Sequence, residues 1–277
     1  MGWGNAVPSG TGGDVASSSP SGRSLDEIFK PAVGLEHVPY LRMAIFGRAK
    51  TGKTHFALTA ATTGPVWIID TEGAVNINIM SVPPELRSRI HVADILCFSD
   101  KKNRKVDLVA SLEALRDAID KLTDYIKDNP GEIGTIVVDS ATDMWDWMSI
   151  WLEEEGATSF SASGKMLRTE WGKANKKYAE LMYMLLSSGW NIILTFRARE
   201  AVNSKGESLG FDNARWQKNT DYWIDLICEY RKDGLDRTLR VVGGRFGDNI
   251  SPLTNPNWND LLDHLEKQTG VTFAFKE

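Results

Sequence analysis

The sequence predicts an α/β fold with a mostly parallel sheet flanked by helices and a C-terminal antiparallel hairpin. Short continuous apolar runs that end in acidic or basic residues are typical of parallel strands buried on both faces. Helical periodicity appears between such runs, most clearly where aliphatic residues recur at steps of three and four over residues 108–126. Two further apolar runs, on either side of residues 232–236, predict the hairpin.

Length and composition narrow the class of protein. The chain has 277 residues, enough for one large domain, and its formal charge of −5 argues against coating nucleic acid through overall basicity. Cys97 and Cys228 lie far apart without metal-ligand spacing, so we expect neither zinc nor a disulfide. No apolar run has membrane-spanning length and no secretory core begins the chain. We therefore expect a cytoplasmic protein with no membrane partner.

The N-terminal region differs in composition from the rest. Residues 1–24 are dominated by Gly, Ser, Pro and Ala, which predicts a disordered tail. Residues 25–40 contain Pro31 and Pro39 and are interpreted as a connector or subunit-docking arm, with a lead-in strapped over its own domain as the alternative. We assign residues 41–277 to a single domain.

The strongest motif lies in residues 41–58, LRMAIFGRAKTGKTHFAL. An apolar strand breaks at a glycine, passes through a short loop and continues as a helix, which is the pattern G-x-x-x-x-G-K-S/T in its required context. Backbone N–H groups of such a loop surround phosphates, and the lysine reaches the β and γ oxygens. The predicted nucleotide-binding residues are Gly47, Arg48, Ala49, Lys50, Thr51, Gly52, Lys53, Thr54 and His55.

Two other strand ends supply carboxylates. VWIIDTEG predicts a buried strand that ends in Asp70, Thr71 and Glu72. Glu72 is a candidate general base for the attacking water, although a turn carboxylate without that role is the alternative. GTIVVD ends in Asp139, which with Thr54 is predicted to bind Mg²⁺. ATP and Mg²⁺ are thus the expected ligands.

Arginines follow two later segments. The strand WNIILTF runs into Arg197 and Arg199, and arginine at such a strand end can sense a γ-phosphate. Arg245 follows two glycines, and we predict it at the hairpin tip as an arginine finger for the next subunit. A solvated loop arginine is the alternative for Arg245.

Two segments are candidates for binding single-stranded DNA. Residues 156–168 form a loop of small residues, and residues 200–218 interleave basic and aromatic side chains on a segment predicted to be a mobile loop. Stacking on such aromatics is worth about 1–3 kcal/mol per base. A substrate lid is the competing interpretation of residues 200–218.

An ordered series of motifs runs along the chain: GRAKTGKT, WIIDTEG, DILCFSD, TIVVDSATDMW, IILTFRARE and DYWIDLICEYR with RTLRVVGGR. This series resembles the RecA-like recombinase family, and most of all its small phage single-strand-annealing ATPases. The resemblance spans residues 41–245. It implies a RecA-like P-loop NTPase core. It also implies Glu72 as the base, Asp139 as the magnesium ligand, Arg197 and Arg199 as γ-phosphate sensors and Arg245 as an inter-subunit contact. The family commonly has Gln at the position of Arg197 and a lysine pair near the hairpin tip, which this chain lacks.

The resemblance implies a function as well. We expect a Mg-ATP-dependent, single-stranded-DNA-binding ATPase acting in phage-type recombination or strand annealing. It would assemble as a ring or filament, in the cytoplasm of a bacterial host if phage-encoded. Three alternatives stay open: a hexameric helicase or packaging motor, a small-molecule kinase, and a non-hydrolysing scaffold that uses ATP to assemble.

Overall fold

The computed structural model describes residues 37–161, 163–247 and 249–276. The predicted tail and residues 25–36 of the predicted connector lie outside these ranges. Over the residues that are described, no helix has both the length and the apolar character needed to cross a membrane.

The described residues form the following strands in chain order: β1 (His37–Val38), β2 (Arg42–Gly47), β3 (Val66–Asp70), β4 (Ile90–Asp94), β5 (Cys97–Asp100), β6 (Lys105–Asp107), β7 (Thr135–Asp139), β8 (Asn191–Val202), β9 (Ser208–Ala214), β10 (Leu226–Asp233), β11 (Asp236–Gly244), β12 (Leu253–Thr254) and β13 (Thr272–Phe273). The helices are α1 (Lys53–Leu58), α2 (Val75–Ile79), α3 (Pro84–Arg87), α4 (Leu108–Asp128), α5 (Ala141–Trp151), α6 (Trp171–Leu186) and α7 (Trp258–Thr269).

Among the described residues, nine strands form the central sheet. Its parallel part runs in the order β10, β2, β8, β7, β3, β4, while β11 and β12 extend it antiparallel from β10 and β9 pairs antiparallel with β8. The predicted mostly parallel sheet with a C-terminal antiparallel hairpin is confirmed. Because β2 lies between β10 and β8, the phosphate loop leaves the middle of the parallel sheet.

Helices cover both faces of the sheet, so the inner parallel strands β2, β7 and the first half of β8 are buried on both sides. On one face α4, α5 and α6 pack through side chains such as Leu115, Trp147 and Tyr178. On the other face α1 and α7 pack through Phe56 and Trp258. The aliphatic stripe predicted over residues 108–126 is the buried face of α4.

The prediction of a mobile loop over residues 200–218 is wrong for most of that segment. Strand β8 continues past Phe196 to Val202 and then pairs with β9, so these residues form an antiparallel hairpin. From Arg197 onward β8 leaves the core, and most of its side chains are exposed or half-exposed. The apolar pattern that marks a buried strand therefore stops at Phe196 although the strand does not.

The predicted position of Arg245 is also wrong. The β10–β11 hairpin turns between Asp233 and Asp236, whereas Arg245 follows the opposite end of β11. There it pairs with Asp225, whose N–H donates to the carbonyl of Arg42 at the start of β2. Arg245 thus lies at the edge of the sheet opposite the phosphate loop, which follows the end of β2.

Three smaller features lie beside the main parallel strands. The apolar run over residues 90–98 forms β4 and the start of β5, which pairs with β6 outside the main sheet. Strand β10 begins at Leu226, after a 3-10 turn over Thr220–Trp223. Strand β13 pairs in parallel with β1 of the same chain.

Candidate nucleotide-binding site

The shape of the phosphate loop depends on one position without room for a side chain and on two positions with a positive φ angle. Gly47 lies so close to β10 that an added Cβ would be 2.2 Å from the carbonyl oxygen of Tyr230. Gly52 has a φ of 103°, in the region that favours glycine, and Lys50 also has a positive φ of 61°. These positions curl the chain between β2 and α1 into a cradle, and α1 begins directly at Lys53.

Lys53 lies inside this cradle. Its Nζ donates to the carbonyl oxygens of Gly47 at 2.9 Å and of Arg48 at 3.1 Å. Burial lowers the pKa of Lys53, although the nearby carboxylates of Asp139 and Glu72 oppose that shift. The ammonium group is therefore held where the loop closes, between the backbone and two acids.

Asp139 joins the loop to two neighbouring strands. The hydroxyl of Thr54 donates to one carboxylate oxygen at 2.6 Å, and the hydroxyl of Thr195 on β8 donates to the other. Burial raises the pKa of Asp139, while both hydroxyl hydrogen bonds act to lower it. The end of β7 is thus in direct contact with the first turn of α1.

Glu72 belongs to a second cluster of charged side chains, formed with Asp143 and Arg197 and close to Asp139. Arg197 donates to Glu72 at 2.8 Å and to Asp143 at 2.9 Å, and so bridges the end of β3 to α5. Asp70 accepts hydrogen bonds from the N–H groups of Glu72, Gly73 and Val75, which fixes the turn that carries Glu72. Burial raises the pKa of Asp143.

A cavity of about 1160 Å³ connects these groups. The carboxyl ends of parallel strands meet at one edge of a sheet, which is where α/β proteins bind ligands. The cavity brings together the following residues predicted from sequence: Arg48, Ala49, Lys50, Gly52, Lys53, Thr54, His55, Glu72, Asp139 and Arg197.

The donor set fits a magnesium-bound triphosphate. A glycine-bounded loop at the start of α1 and a buried lysine provide the N–H groups and the positive charge that phosphate oxygens need. The Thr54 hydroxyl and the Asp139 carboxylate are the oxygen ligands that Mg²⁺ prefers. These residues would hold the metal, which when bound neutralises charge on the phosphates.

Comparison with known proteins agrees with this geometry. Residues 40–246 match a family model described as an AAA domain. The chain belongs to this AAA domain family. The match covers most of the chain. Together with the phosphate loop, membership of this family identifies the protein as a P-loop ATPase.

Solved structures similar to this AAA domain include two bacterial secretion proteins. One is a prototypical type III secretion system ATPase of pathogenic bacteria, with 14% identity, a TM-score of 0.44 and coverage of 69% of this chain and 51% of the other. The second is the assembled ATPase EscN of enteropathogenic E. coli, with 13% identity, a TM-score of 0.42 and coverage of 69% and 43%. The AAA domain chain thus spans about half the length of these proteins. No curated protein matches the sequence.

Two arginines predicted for the site do not line the cavity of the AAA domain. Arg199 is exposed two residues beyond Arg197 on the outer part of β8. Arg245 bonds Asp225 at 2.8 Å at the opposite edge of the sheet. Their predicted roles toward a nucleotide, including the inter-subunit role of Arg245, stay predictions.

Three residues that sequence reasoning missed also face the site of the AAA domain. Asp143 lies four residues after Asp139, in the first turn of α5. Its position in the sequence DSATD, directly after a strand that ends in an acid, could have indicated a second carboxylate at the site. Thr195 and Arg237 gave no such signal, because their place depends on strand order and on the hairpin register.

Proposed function

We propose that this ATPase binds Mg-ATP in the cavity around Lys53 and couples hydrolysis to binding of single-stranded DNA, in phage-type recombination or strand annealing. The observation that carries the DNA part is the continuity of β8. This strand brings Arg197 to the cavity and continues into the exposed β8–β9 hairpin. One element therefore belongs to the hydrolytic site and to the candidate DNA surface.

The hydrolytic roles follow from the distances within the site. Lys53 would bind β and γ phosphate oxygens, while Thr54 and Asp139 would hold Mg²⁺. Glu72, at the mouth of the cavity, would accept a proton from the attacking water. Arg197 already binds Glu72, so it is placed to orient this base and to respond when a γ-phosphate arrives or leaves.

The candidate DNA surface combines apolar and basic side chains. On the β8–β9 hairpin, Val202, Leu209 and Phe211 are 54%, 50% and 44% exposed. Exposed Arg199 and Lys205 lie on the same hairpin. Basic and aromatic groups together are the chemistry that binds single strands through phosphate contacts and base stacking.

The second candidate DNA segment is attached to the same helix as the first. In residues 156–168, Phe160 is 53% exposed. Lys173 on α6 donates to the Gly156 carbonyl at 3.0 Å. Gln217, beyond the β8–β9 hairpin, donates to Asn175 on α6 at 3.1 Å. Helix α6 thus contacts both segments proposed to bind DNA.

A short hydrogen-bond path connects the cavity with this surface. The N–H of Arg197 donates to the Thr142 hydroxyl at 2.9 Å, and that hydroxyl donates to the Arg215 carbonyl at 3.1 Å. The N–H of Arg215 donates back to the Arg197 carbonyl at 2.8 Å. A shift of Arg197 would therefore move the base of the hairpin.

The test is phosphate release from Mg-ATP with and without a single-stranded oligonucleotide. We expect DNA to stimulate release and Lys53→Ala to abolish it. Because stacking is worth about 1–3 kcal/mol per base, Phe211→Ala should weaken DNA binding about 5- to 150-fold. Tyr222→Ala removes an aromatic ring that is 76% exposed outside both segments, and it should leave DNA binding unchanged.

Other outcomes would identify a different function. ATP hydrolysis that ignores single-stranded DNA would remove the DNA proposal while leaving the ATPase intact. ATP-dependent assembly without phosphate release would favour a scaffold. Annealing of complementary labelled strands, measured in parallel, distinguishes annealing from simple binding.

A further inference from the structure

Arg237 approaches the phosphate loop from the C-terminal hairpin. Its Nε donates to the Thr51 carbonyl oxygen at 3.1 Å. A Cβ added to Gly52 would lie 2.8 Å from that same nitrogen, so the guanidinium packs directly against the loop. The side chain also lines the cavity that contains Lys53, Thr54 and His55.

The backbone of Arg237 is held firmly in this position. Its N–H donates to the side chain of Asn255 at 2.8 Å, and the Asn255 N–H donates to the Arg237 carbonyl at 2.6 Å. The Asn255 side-chain amide also donates to Asp236 at 2.9 Å. The start of β11 is therefore fixed against the loop that joins β12 to α7.

Arg237 differs from the other arginines near the phosphate loop because no acid pairs with it among the residues that the structure describes. Arg48 pairs with Asp212, Arg197 with Glu72 and Asp143, and Arg231 with Glu229. Within the part of the chain that the structure describes, Arg237 has no ion pair, and only its Nε makes a hydrogen bond. The Arg237 side chain lines a cavity that also contains Lys53, and two cationic side chains beside one cavity favour an anion.

The position of Arg237 selects one end of the cavity. Glu72 and Arg197 mark the end where the γ-phosphate would lie, and they bond each other. Arg237 instead touches Thr51 and Gly52, and it lines the cavity together with His55 at the start of α1.

We propose that Arg237 contacts the nucleotide in the site of its own subunit, at the end of the nucleotide that carries the α-phosphate and the ribose. The two terminal nitrogens of a planar guanidinium suit phosphate oxygens, and β11 delivers them without help from another subunit. The inference rests on the nucleotide site of the proposed function. It does not depend on the proposal about DNA.

The test measures nucleotide binding to the full chain, without relying on turnover. Labelled Mg-ADP and a non-hydrolysable Mg-ATP analogue are titrated against Arg237→Gln, and thermal melting is recorded with and without each nucleotide. We expect both affinities to weaken by the same factor, about 10- to 100-fold, as for loss of a hydrogen bond to a charged group. Arg237→Lys should recover part of the loss.

Three variants serve as controls. Arg240→Gln changes the same residue type on the same strand, but Arg240 pairs with Glu229, and nucleotide affinity should stay unchanged. Arg197→Gln should weaken the ATP analogue more than ADP, because it lies at the γ end. Lys53→Ala should weaken both nucleotides strongly.

The outcomes distinguish a contact between Arg237 and the nucleotide from a purely structural role of Arg237 and from an error in the nucleotide site itself. Unchanged ADP affinity in Arg237→Gln, or a loss confined to the ATP analogue, overturns it. A lower melting temperature without nucleotide but an undiminished rise on adding ADP would show that Arg237 only supports the loop, which also overturns it. If Lys53→Ala binds ADP normally, the nucleotide site itself is wrong, and that result is distinct from a failure of Arg237 alone.

Discussion

Burial and hydrogen bonding have opposite effects on the pKa of Asp139. It is 7% exposed, which disfavours its charge, yet hydroxyls from Thr54 and Thr195 donate to both of its oxygens and favour that charge. The first hydroxyl comes from the phosphate loop and the second from β8. A carboxylate supported in this way is held in a fixed direction, as a metal ligand needs to be.

At Glu72 the expected effect of mutation is catalytic. Glu72→Gln keeps the size of the side chain but removes its basicity, so we expect kcat for ATP hydrolysis to fall about 10²- to 10⁴-fold. Nucleotide affinity should change little. Phosphate release and ADP titration measure the two quantities. Glu85→Gln, at an exposed position on α3, is the matched control, and hydrolysis near the parent rate in Glu72→Gln would refute the assignment.

The phosphate loop could be predicted from sequence because its chemistry is local. Glycine spacing, lysine and threonine lie within eight consecutive residues, from Gly47 to Thr54. Glu72 and Asp139 could be predicted because each ends an apolar run. Arg237 could not, because it becomes a neighbour of Thr51 only through the parallel pairing of β10 with β2 and the turn into β11.

Among the elements, β8 was the hardest to predict. Its first six residues are buried and apolar enough to mark a strand. Among its last six residues, Arg197 still pairs with Gly47 of β2, whereas the register from Ala198 onward is with β9 alone. The sequence there follows no clear alternation and resembles a loop. Hairpins outside a core are formed by backbone hydrogen bonds that side-chain patterns do not reveal.

The loop before α6 gives a pH-dependent prediction. Glu170 accepts hydrogen bonds from Lys173 and from the Thr158 N–H, which lower its pKa from 4.5 to about 2. A lowered folded-state pKa means that its stabilising effect is complete above pH 4.5 and is lost as the pH falls toward 2. Glu170→Gln should therefore melt several degrees below the parent at pH 7, with a difference that shrinks from pH 4.5 downward.

Melting curves of both proteins at matched pH values check this expectation. Glu180→Gln is a suitable control, because Glu180 lies on the following helix α6 with a distant and exposed partner. A melting difference that is independent of pH between 3 and 7 would contradict the assigned cause.

At the scale of the whole molecule, two apolar cores are present within the described ranges, one on each face of the sheet, and we expect both to contribute to stability. The second core ends at α7, where Trp258 is fully buried and packs against Phe56 and Phe275 at ring distances of 6.4 Å each. Its backbone N–H donates to Thr59. The C-terminal helix is therefore packed against the helical segment that continues from the phosphate loop.

Trp258→Ala should lower the free energy of unfolding by about 3–5 kcal/mol, because it leaves a large cavity in this core. Urea denaturation followed by circular dichroism measures the change. Trp258→Phe should be milder, since it keeps a ring and removes an indole N–H that has no partner among the described residues. A loss below about 1 kcal/mol in Trp258→Ala would show that α7 contributes little to this core.

The extension of β8 beyond the sheet has a consequence for how this molecule could be altered. The part that projects, from Glu200 round to Asn213, contributes little to either apolar core, whereas the part that enters the sheet is needed for folding. A foreign hairpin of the same register could be grafted there if it kept an acid at the position of Asp212, which pairs with Arg48 of the phosphate loop. The ATPase core would then stay intact while the exposed surface of the hairpin is exchanged.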